Sequence, residues 1–388
     1  MEHLKELAAK LPTPAYVFDT DLFCKRAEQV REAFGPKTGL CFSIKANPFL
    51  LGSLPKVFDK IEVCSPGELT ICEKIGADMD MVIFSGVNKT SADVERAMAD
   101  NVGTFTAESR LHLQLIDASA RKQGKCVPLL LRLTGGSQFG MDEADVLDII
   151  RNRDQYPGVR IVGLHYFTGT QKRKAAVIEK ELNLVEAFLE KVRAELDFVL
   201  QRVEYGTGLA VDYFDPQAEE KEMERLMAVA PGIRALAEKT ELTVEMGRFF
   251  AAPCGWYFTR VMDTKCNCGV NYAIVDGGLN MLKYDGQIQG MQIPQILHIG
   301  SDPVQVAEKW TLCGSLCTTA DVLARNAEFC GLKMGDVLVF GRTGAYSAME
   351  GMAVFLSREM PVIALYSAQQ GLRVVRQRIN TDIFNTPV

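Results

Sequence analysis

The sequence predicts a parallel (β/α)8 barrel of the TIM type over residues 20–248, completed by a mainly β domain made from residues 1–19 and 249–388. Three observations carry this prediction. Eight short apolar runs recur between residues 39 and 247, and helix-like stretches separate most of them. Buried strands that alternate with helices form a parallel sheet, and eight of them close it into a barrel. After Arg248 the rhythm changes to strands joined by glycine-rich turns, with few helices. With 388 residues, 47% of them hydrophobic, the chain can bury a large core.

Taken in order, residues 1 to about 12 read as a helix stopped by "PTP". "AYVFD" is a short strand, and Thr20 is the expected cap of the helix "DLFCKRAEQVREAFG". The barrel strands are "GLCFSIKA", "IEVCS", "MVIFSG", "GTFTA", "VPLLLRL", "VRIVGLHYF", "RVEYG" and "ELTVEMG". Helical patterns between them include "PGELTICEKIGA", "TSADVERAMAD", "ESRLHLQLIDASARKQG" and "KAAVIEKELNLVEAFLEKVRAEL". Beyond the barrel, "AAPCGWYFTRVMDTKC", "VNYAIVDGG", "WTLCGSLCTT", "DVLVFGRTG" and "VIALYS" read as strands. No internal repeat or flexible linker interrupts them.

Composition excludes several functions. A formal net charge of -6 argues against a nucleic-acid footprint, which would be a basic patch. No run approaches the ~20 apolar residues of a membrane span, so no membrane partner is expected. The N-terminal stretch lacks a signal-peptide pattern. The eleven cysteines are scattered. Their odd number without an export signal implies free thiols in the cytoplasm. Neither Cys266 with Cys268 nor Cys313 with Cys317 has zinc-site spacing with paired histidines, so no metal is expected.

The chemistry sits at the ends of the predicted barrel strands, where such barrels carry their active sites. Lys45 closes the first, in "FSIKANP". Walled by apolar neighbours, it would serve as a neutral amine able to capture an aldehyde. The alternative is an ion-paired or snorkelling lysine. In "EYGTGLAVDY", Gly206 and Gly208 let backbone amides approach an anion, or simply make a tight turn. In "VEMGRFF", Glu245 could hold a protonated ring nitrogen and Arg248 a phosphate, or the two could form a structural ion pair. An aldehyde trap, a phosphate cradle and a pyridinium partner together fit pyridoxal 5′-phosphate.

On these residues the chain resembles the fold-type III (group IV) pyridoxal-phosphate decarboxylases, which share their fold with alanine racemase and include diaminopimelate, ornithine and carboxynorspermidine decarboxylases. The resemblance spans nearly the whole chain. "FSIKANP" is similar to the family's "YAxKAN", "IEVCSPGEL" to "xDVxSxGEL", "GLHYFTGTQ" to "GxHxHxGSQ" and "EYGTGLAVDY" to "GGGxGxxY". "EMGRFF" resembles "EPGR", "IVDGGLN" "VDxGxN", "CGSLCTTAD" "GPxCxxxD" and "GDVLVFGRTGAY" the closing "GDxxxxxxxGAY".

The resemblance implies a decarboxylase of an amino acid. It makes Lys45 the Schiff-base residue and Glu245 the partner of the pyridine nitrogen. Gly206, Thr207, Gly208, Gly247, Arg248 and Tyr346 would surround the phosphate. Cys317 would come from the partner subunit of a homodimer, with active sites at the interface, and protonate the carbon left by carbon dioxide. The alternative for Cys317 is a small buried hydrophobe.

Departures from the pattern lie mostly at the substrate end. Phe167 replaces the ring-stacking histidine; it can stack but carries no proton. His165, one strand period earlier, is expected as a satisfied core histidine. Thr318 stands where relatives place a carboxylate for a distal ammonium, and Gln138 replaces a lysine. Lys283 and Arg342 are the candidates for contacting an acidic group of the substrate. These departures imply a specialised amino acid rather than diaminopimelate itself. A pyridoxal-phosphate racemase and a non-catalytic binding homologue are the alternative functions.

Overall fold

A computed structural model describes residues 2–300 and 306–387. It divides the chain into two compact units: residues 26–211 with 220–250, and residues 1–25 with 212–219 and 251–388. The sequence reading placed the divisions at 19/20 and 248/249. Segment 212–219 groups with the second unit, although it lies inside the expected barrel range.

The first strand, β1 (Ala15–Asp19), is not part of the barrel. The barrel closes through β2 (Gly39–Ser43), β3 (Lys60–Val63), β4 (Val82–Phe84), β5 (Thr104–Ala107), β6 (Val127–Arg132), β7 (Val159–Tyr166), β8 (Arg202–Gly206) and β9 (Glu241–Met246). All eight neighbouring pairs are parallel, and β2 closes on β9. The eight expected runs are these eight strands: six are trimmed by one to three residues, β8 matches its run end to end, and β3 begins one residue early at Lys60 and stops at Val63.

Local signals set the helices. The helix Pro66–Ile75 starts with Pro66 at its first position and with the Ser65 hydroxyl accepting from the Glu68 N–H at 3.1 Å. It stops at Gly76, whose φ of 69° only glycine adopts at little cost. The helix Ser91–Ala99 opens on a reciprocal Thr90–Asp93 capping box. The cap expected at Thr20 is instead Asp19. Its Oδ1 accepts from the Asp21 and Leu22 N–H groups, both at 3.0 Å, while the Thr20 hydroxyl donates to Tyr366 O. A carboxylate is the stronger acceptor for these orphan amides.

The second unit is a nine-stranded sheet. Its further strands are β10 (Gly255–Asn267), β11 (Val270–Val275), β12 (Ile296–Ile299), β13 (Ala307–Cys313), β14 (Val322–Cys330), β15 (Val337–Gly341), β16 (Val362–Ser367) and β17 (Gly371–Arg376). The main path runs β14-β13-β11-β10-β1-β16-β17, with β15 joining β10 to β12. β1 lies between β10 and β16, which is why the N-terminal residues belong here. Leu4, Leu7 and Leu11 of the N-terminal stretch pack with Val17, Phe258, Val339 and Val362 in one core cluster. The run "WTLCGSLCTT" is a strand only as far as Cys313; the rest is a loop.

Candidate active site

The barrel strand β2 ends at Ser43, and Lys45 lies in the 3-10 turn Ile44–Ala46 that follows. The Asn47 side chain accepts from Phe49 N–H at 3.1 Å and Pro48 opens the next turn, so the chain bends sharply after the lysine. Lys45 Nζ lies 2.7 Å from Glu62 Oε2, 3.4 Å from Cys64 Sγ and 3.7 Å from Glu245 Oε1. The expected apolar wall is therefore absent: two carboxylates and a thiol surround this amine. Its side chain keeps 34% of its surface exposed, enough for a ligand to reach it.

Glu245, at the end of β9, is almost fully buried. Its Oε1 accepts from the Ser43 hydroxyl at 3.2 Å, and its Oε2 lies 3.1 Å from His165 Nε2. Burial pushes this carboxyl up, but the Lys45 charge and the His165 contact outweigh burial and hold it well below the usual carboxylate range. His165 is buried as expected, yet its partner is the site carboxylate itself. Its other ring nitrogen, Nδ1, is buried with no hydrogen-bond partner among the described residues. Beside β9, Glu204 on β8 is fully buried, and burial together with the Glu245 and Glu62 charges pushes its carboxyl well up. One acid is thus held toward its charged form and its neighbour pushed toward its protonated form, the first being the one that touches the cation.

A second charged cluster lies on β4, β5 and β6 and the turns after them. Glu108 and Arg132 form a buried ion pair at 2.7 Å, and Arg132 also lies over the Phe139 ring. Lys89 is buried, donates to Gly86 O at 2.6 Å and lies over the Phe84 ring. Burial lowers its pKa to about 8, against the pull of Glu108, Cys64 and Glu62 and with the push of Arg132. Below about pH 8 the folded chain carries the full penalty of a buried ammonium; above 10.5 it carries none. Stability should therefore rise by roughly 3 kcal/mol across that window. Denaturant titrations on both sides of the window should show this rise in the parent chain and not in Lys89→Met.

The glycine motifs form a tight cradle next to Lys45 and Glu245. Gly206 is the register partner of Glu245. A methyl on Gly206 would come within 2.4 Å of Phe167 Cδ2, so the Phe167 ring packs directly on this backbone. Gly208 has a φ of +61°, and a methyl there would meet Gly169 O at 2.0 Å. A methyl on Gly247 would meet Ala46 Cβ at 2.7 Å and Ser43 O at 2.9 Å, which sets the loop before Arg248 against the turn that carries Lys45. The Thr207 hydroxyl accepts from Leu209 N–H. Phe167 is half-buried, and Lys172 Nζ lies 5.8 Å from its ring centroid while pairing with Glu181 at 2.7 Å.

Arg248 opens the short helix Arg248–Ala251, and the other five predicted residues lie on loops of the sheet unit, Arg342 directly after β15. Cys317 is exposed, which removes the buried-hydrophobe alternative. Thr318 beside it is half-buried and its hydroxyl accepts from Ala320 N–H. Tyr346 is half-buried with a φ of 65°. Arg342 is buried and also has a positive φ, 59°. Lys283 already pairs with Glu350 at 2.9 Å on the surface, so its charge is met within the unit.

A family model described as pyridoxal-dependent decarboxylase, pyridoxal binding domain, matches residues 20–252, more than half of the chain. The chain belongs to the pyridoxal-dependent decarboxylases. Curated relatives of similar length include a diaminopimelate decarboxylase of Aquifex aeolicus, 28% identical, with 99% of this chain and 93% of the relative covered. An L-glutamyl-(BtrI acyl-carrier protein) decarboxylase of Niallia circulans is 26% identical, with 92% and 89% covered. The crystal structure of AQ1208 from Aquifex aeolicus superposes with a TM-score of 0.85 at 26% identity, over 98% of this chain and 92% of that one. The barrel and mainly β domain are thus those of the fold-type III enzymes, as the sequence motifs imply.

Sequence reading missed Glu62, Cys64, Lys89, Glu108, Arg132 and Glu204 as members of the barrel mouth. A signal existed for Glu62 and Glu204: each is a carboxylate flanked by apolar residues inside a short barrel strand, where burial demands a partner. Nothing local marks Lys89, whose turn reads as an ordinary helix approach.

Proposed function

We propose that this chain decarboxylates an amino acid with pyridoxal 5′-phosphate held at the barrel mouth. The observation that carries the reading is the buried, ionised Glu245 beside Lys45 and His165, next to a cradle that only glycine can line. These residues fit the group: a reachable amine for its aldehyde, an anion for its ring nitrogen, and close backbone approach for its phosphate. When bound, the cofactor supplies an electron-withdrawing ring that accepts the electron pair freed as the carboxylate leaves.

The protein's own share is positional and electrostatic. Lys45 would be the amine that holds the cofactor's aldehyde, and Glu62, 2.7 Å away, is placed to accept a proton from that amine. Glu245 would face the ring nitrogen as its anionic partner, with Ser43 and His165 fixing the carboxylate's orientation. Phe167 provides an apolar face for the ring in place of a titratable one. Thr207, Gly206, Gly208, Gly247, Arg248 and Tyr346 are assigned to the phosphate. Cys317 would return a proton to the carbon that loses carbon dioxide, acting across a homodimer interface; its exposure on the single chain supports this. Eleven free thiols support a cytoplasmic location.

At the substrate end, Thr318 offers no charge and Lys283 is already paired. This supports a substrate whose distal end is neutral or acylated rather than a free ammonium; the relative named for a carrier-bound glutamyl group is of that kind. Carbon dioxide release should be assayed over free diaminopimelate, lysine, ornithine and glutamate, and over glutamyl amides and thioesters. Release from an acylated member is expected. Release from none of them, with solvent deuterium entering the α position instead, would overturn the reading in favour of a racemase.

A further inference from the structure

Two motifs of the sheet unit, "IVDGGLN" and the terminal aspartate of "CGSLCTTAD", are not used by the mechanism above. In the structure they form one module. Asp321 is 2% exposed. Its Oδ1 accepts from the Leu279 N–H at 2.7 Å and its Oδ2 from the Leu316 N–H at 2.8 Å. One carboxylate thus joins the loop after β11 to the loop after β13 that carries Cys317. The same two loops meet along the backbone, where Ser315 N–H donates to Gly277 O at 2.8 Å; within the Cys317 loop, Gly314 N–H donates to Asp321 O at 3.0 Å.

The glycines make room for this carboxylate. The three atoms nearest a methyl on Gly278 would all belong to Asp321, the closest being Oδ2 at 2.5 Å. A methyl on Gly314 would meet Asp321 Oδ2 at 2.2 Å and Gly278 Cα at 2.4 Å. Asp276 anchors the other end of the first loop, where its Oδ1 accepts from the Thr259 hydroxyl at 2.6 Å and from Arg260 N–H at 2.9 Å. Leu316, the residue that Asp321 grips, immediately precedes Cys317. Cys317 itself is exposed, so little of its own packing holds it in place.

We propose that Asp321 is the positioning residue for Cys317: its two backbone hydrogen bonds set the thiol where the proton must be delivered, and "DGG" exists to dock that loop. The proposal rests on the reading of Cys317 as proton donor. A carboxylate can accept both N–H groups at once. An asparagine of the same shape must turn an NH2 toward one of them, so it loses one bond and leaves a donor facing a donor.

The experiment compares the parent holoenzyme with Asp321→Asn, Asp321→Ala, Gly278→Ala and Gly278→Ala/Asp321→Ala. Asp321→Asn should lower kcat by about 10- to 100-fold with KM nearly unchanged, the effect of a reacting group displaced by roughly 1 Å. Amide hydrogen exchange should speed up at Leu279 and Leu316. In the double variant, removing the carboxylate makes room for the added methyl, so its kcat should equal that of Asp321→Ala. Parent-like kcat and parent-like exchange in Asp321→Asn would overturn the proposal, as would losses that multiply in the double variant. If the Asp321 variants do not fold, Gly278→Ala decides alone: lowered kcat supports the clamp and parent-like kcat rejects it. Cys317→Ala separates the two claims. Full turnover in that variant refutes the proton-donor reading, while faster exchange in Asp321→Asn still reports the clamp.

Discussion

Replacing Lys45 by alanine is expected to lower carbon dioxide release by on the order of 10⁴-fold or more, because it removes both the covalent tether and a proton-transfer group. The same change has a second, independent consequence. Lys45 lies between Glu62 and Glu245, and its charge is the largest influence holding the Glu245 carboxyl ionised. A carboxyl depressed in the folded state adds stability above its unfolded pKa, and that stability is lost as pH falls through the folded value. Without the ammonium the depression shrinks, so acid unfolding of Lys45→Ala should begin at a higher pH than in the parent. Carbon dioxide release, borohydride-sensitive absorbance after incubation with pyridoxal phosphate, and acid titrations followed by circular dichroism measure these effects. Unaltered turnover would end the assignment of Lys45. An unaltered acid midpoint would end the electrostatic account of Glu245 while leaving the tether intact.

Glu245→Gln is expected to cost on the order of 10³-fold in kcat, since it deletes a preorganised charge aimed at the site where charge develops. The amide preserves shape, and it can still accept from Ser43 and contact His165. The amide is neutral, so it also forgoes the ion-pair stability described above. A large drop in kcat together with a lowered melting temperature is the expected pair of results. The neighbouring Glu204 sharpens the comparison. It is buried in the same barrel interior, but burial and the Glu245 and Glu62 charges push its carboxyl up, toward the protonated form. Glu204→Gln replaces one neutral group by another and should change kcat far less. Equal losses in the two variants would mean that burial, not charge, is what the reaction needs from these strands.

The fold was legible because its signals are local. Each barrel strand is a short apolar run, and each helix is bounded by residues a few positions away, as with Ser65, Pro66 and Gly76. The Lys45 turn and the glycine cradle could likewise be found from their own neighbours in the chain. Helix capping was less secure: Thr20 and Asp19 are adjacent and both plausible, and the side-chain geometry chose Asp19.

Sequence alone determined the barrel, the sheet, the pyridoxal-type motifs and the candidate amine, since these follow from periodicity and from residues close together along the chain. Tertiary structure decided the company those residues keep. Ser43 meets Glu245 across 202 positions and His165 meets it across 80. Lys45, expected among apolar side chains, is instead held between carboxylates because strand register brings β3 and β9 to either side of β2. The charge state of a buried group depends on which opposite charge lies within a few ångströms, and only the closed barrel sets that distance.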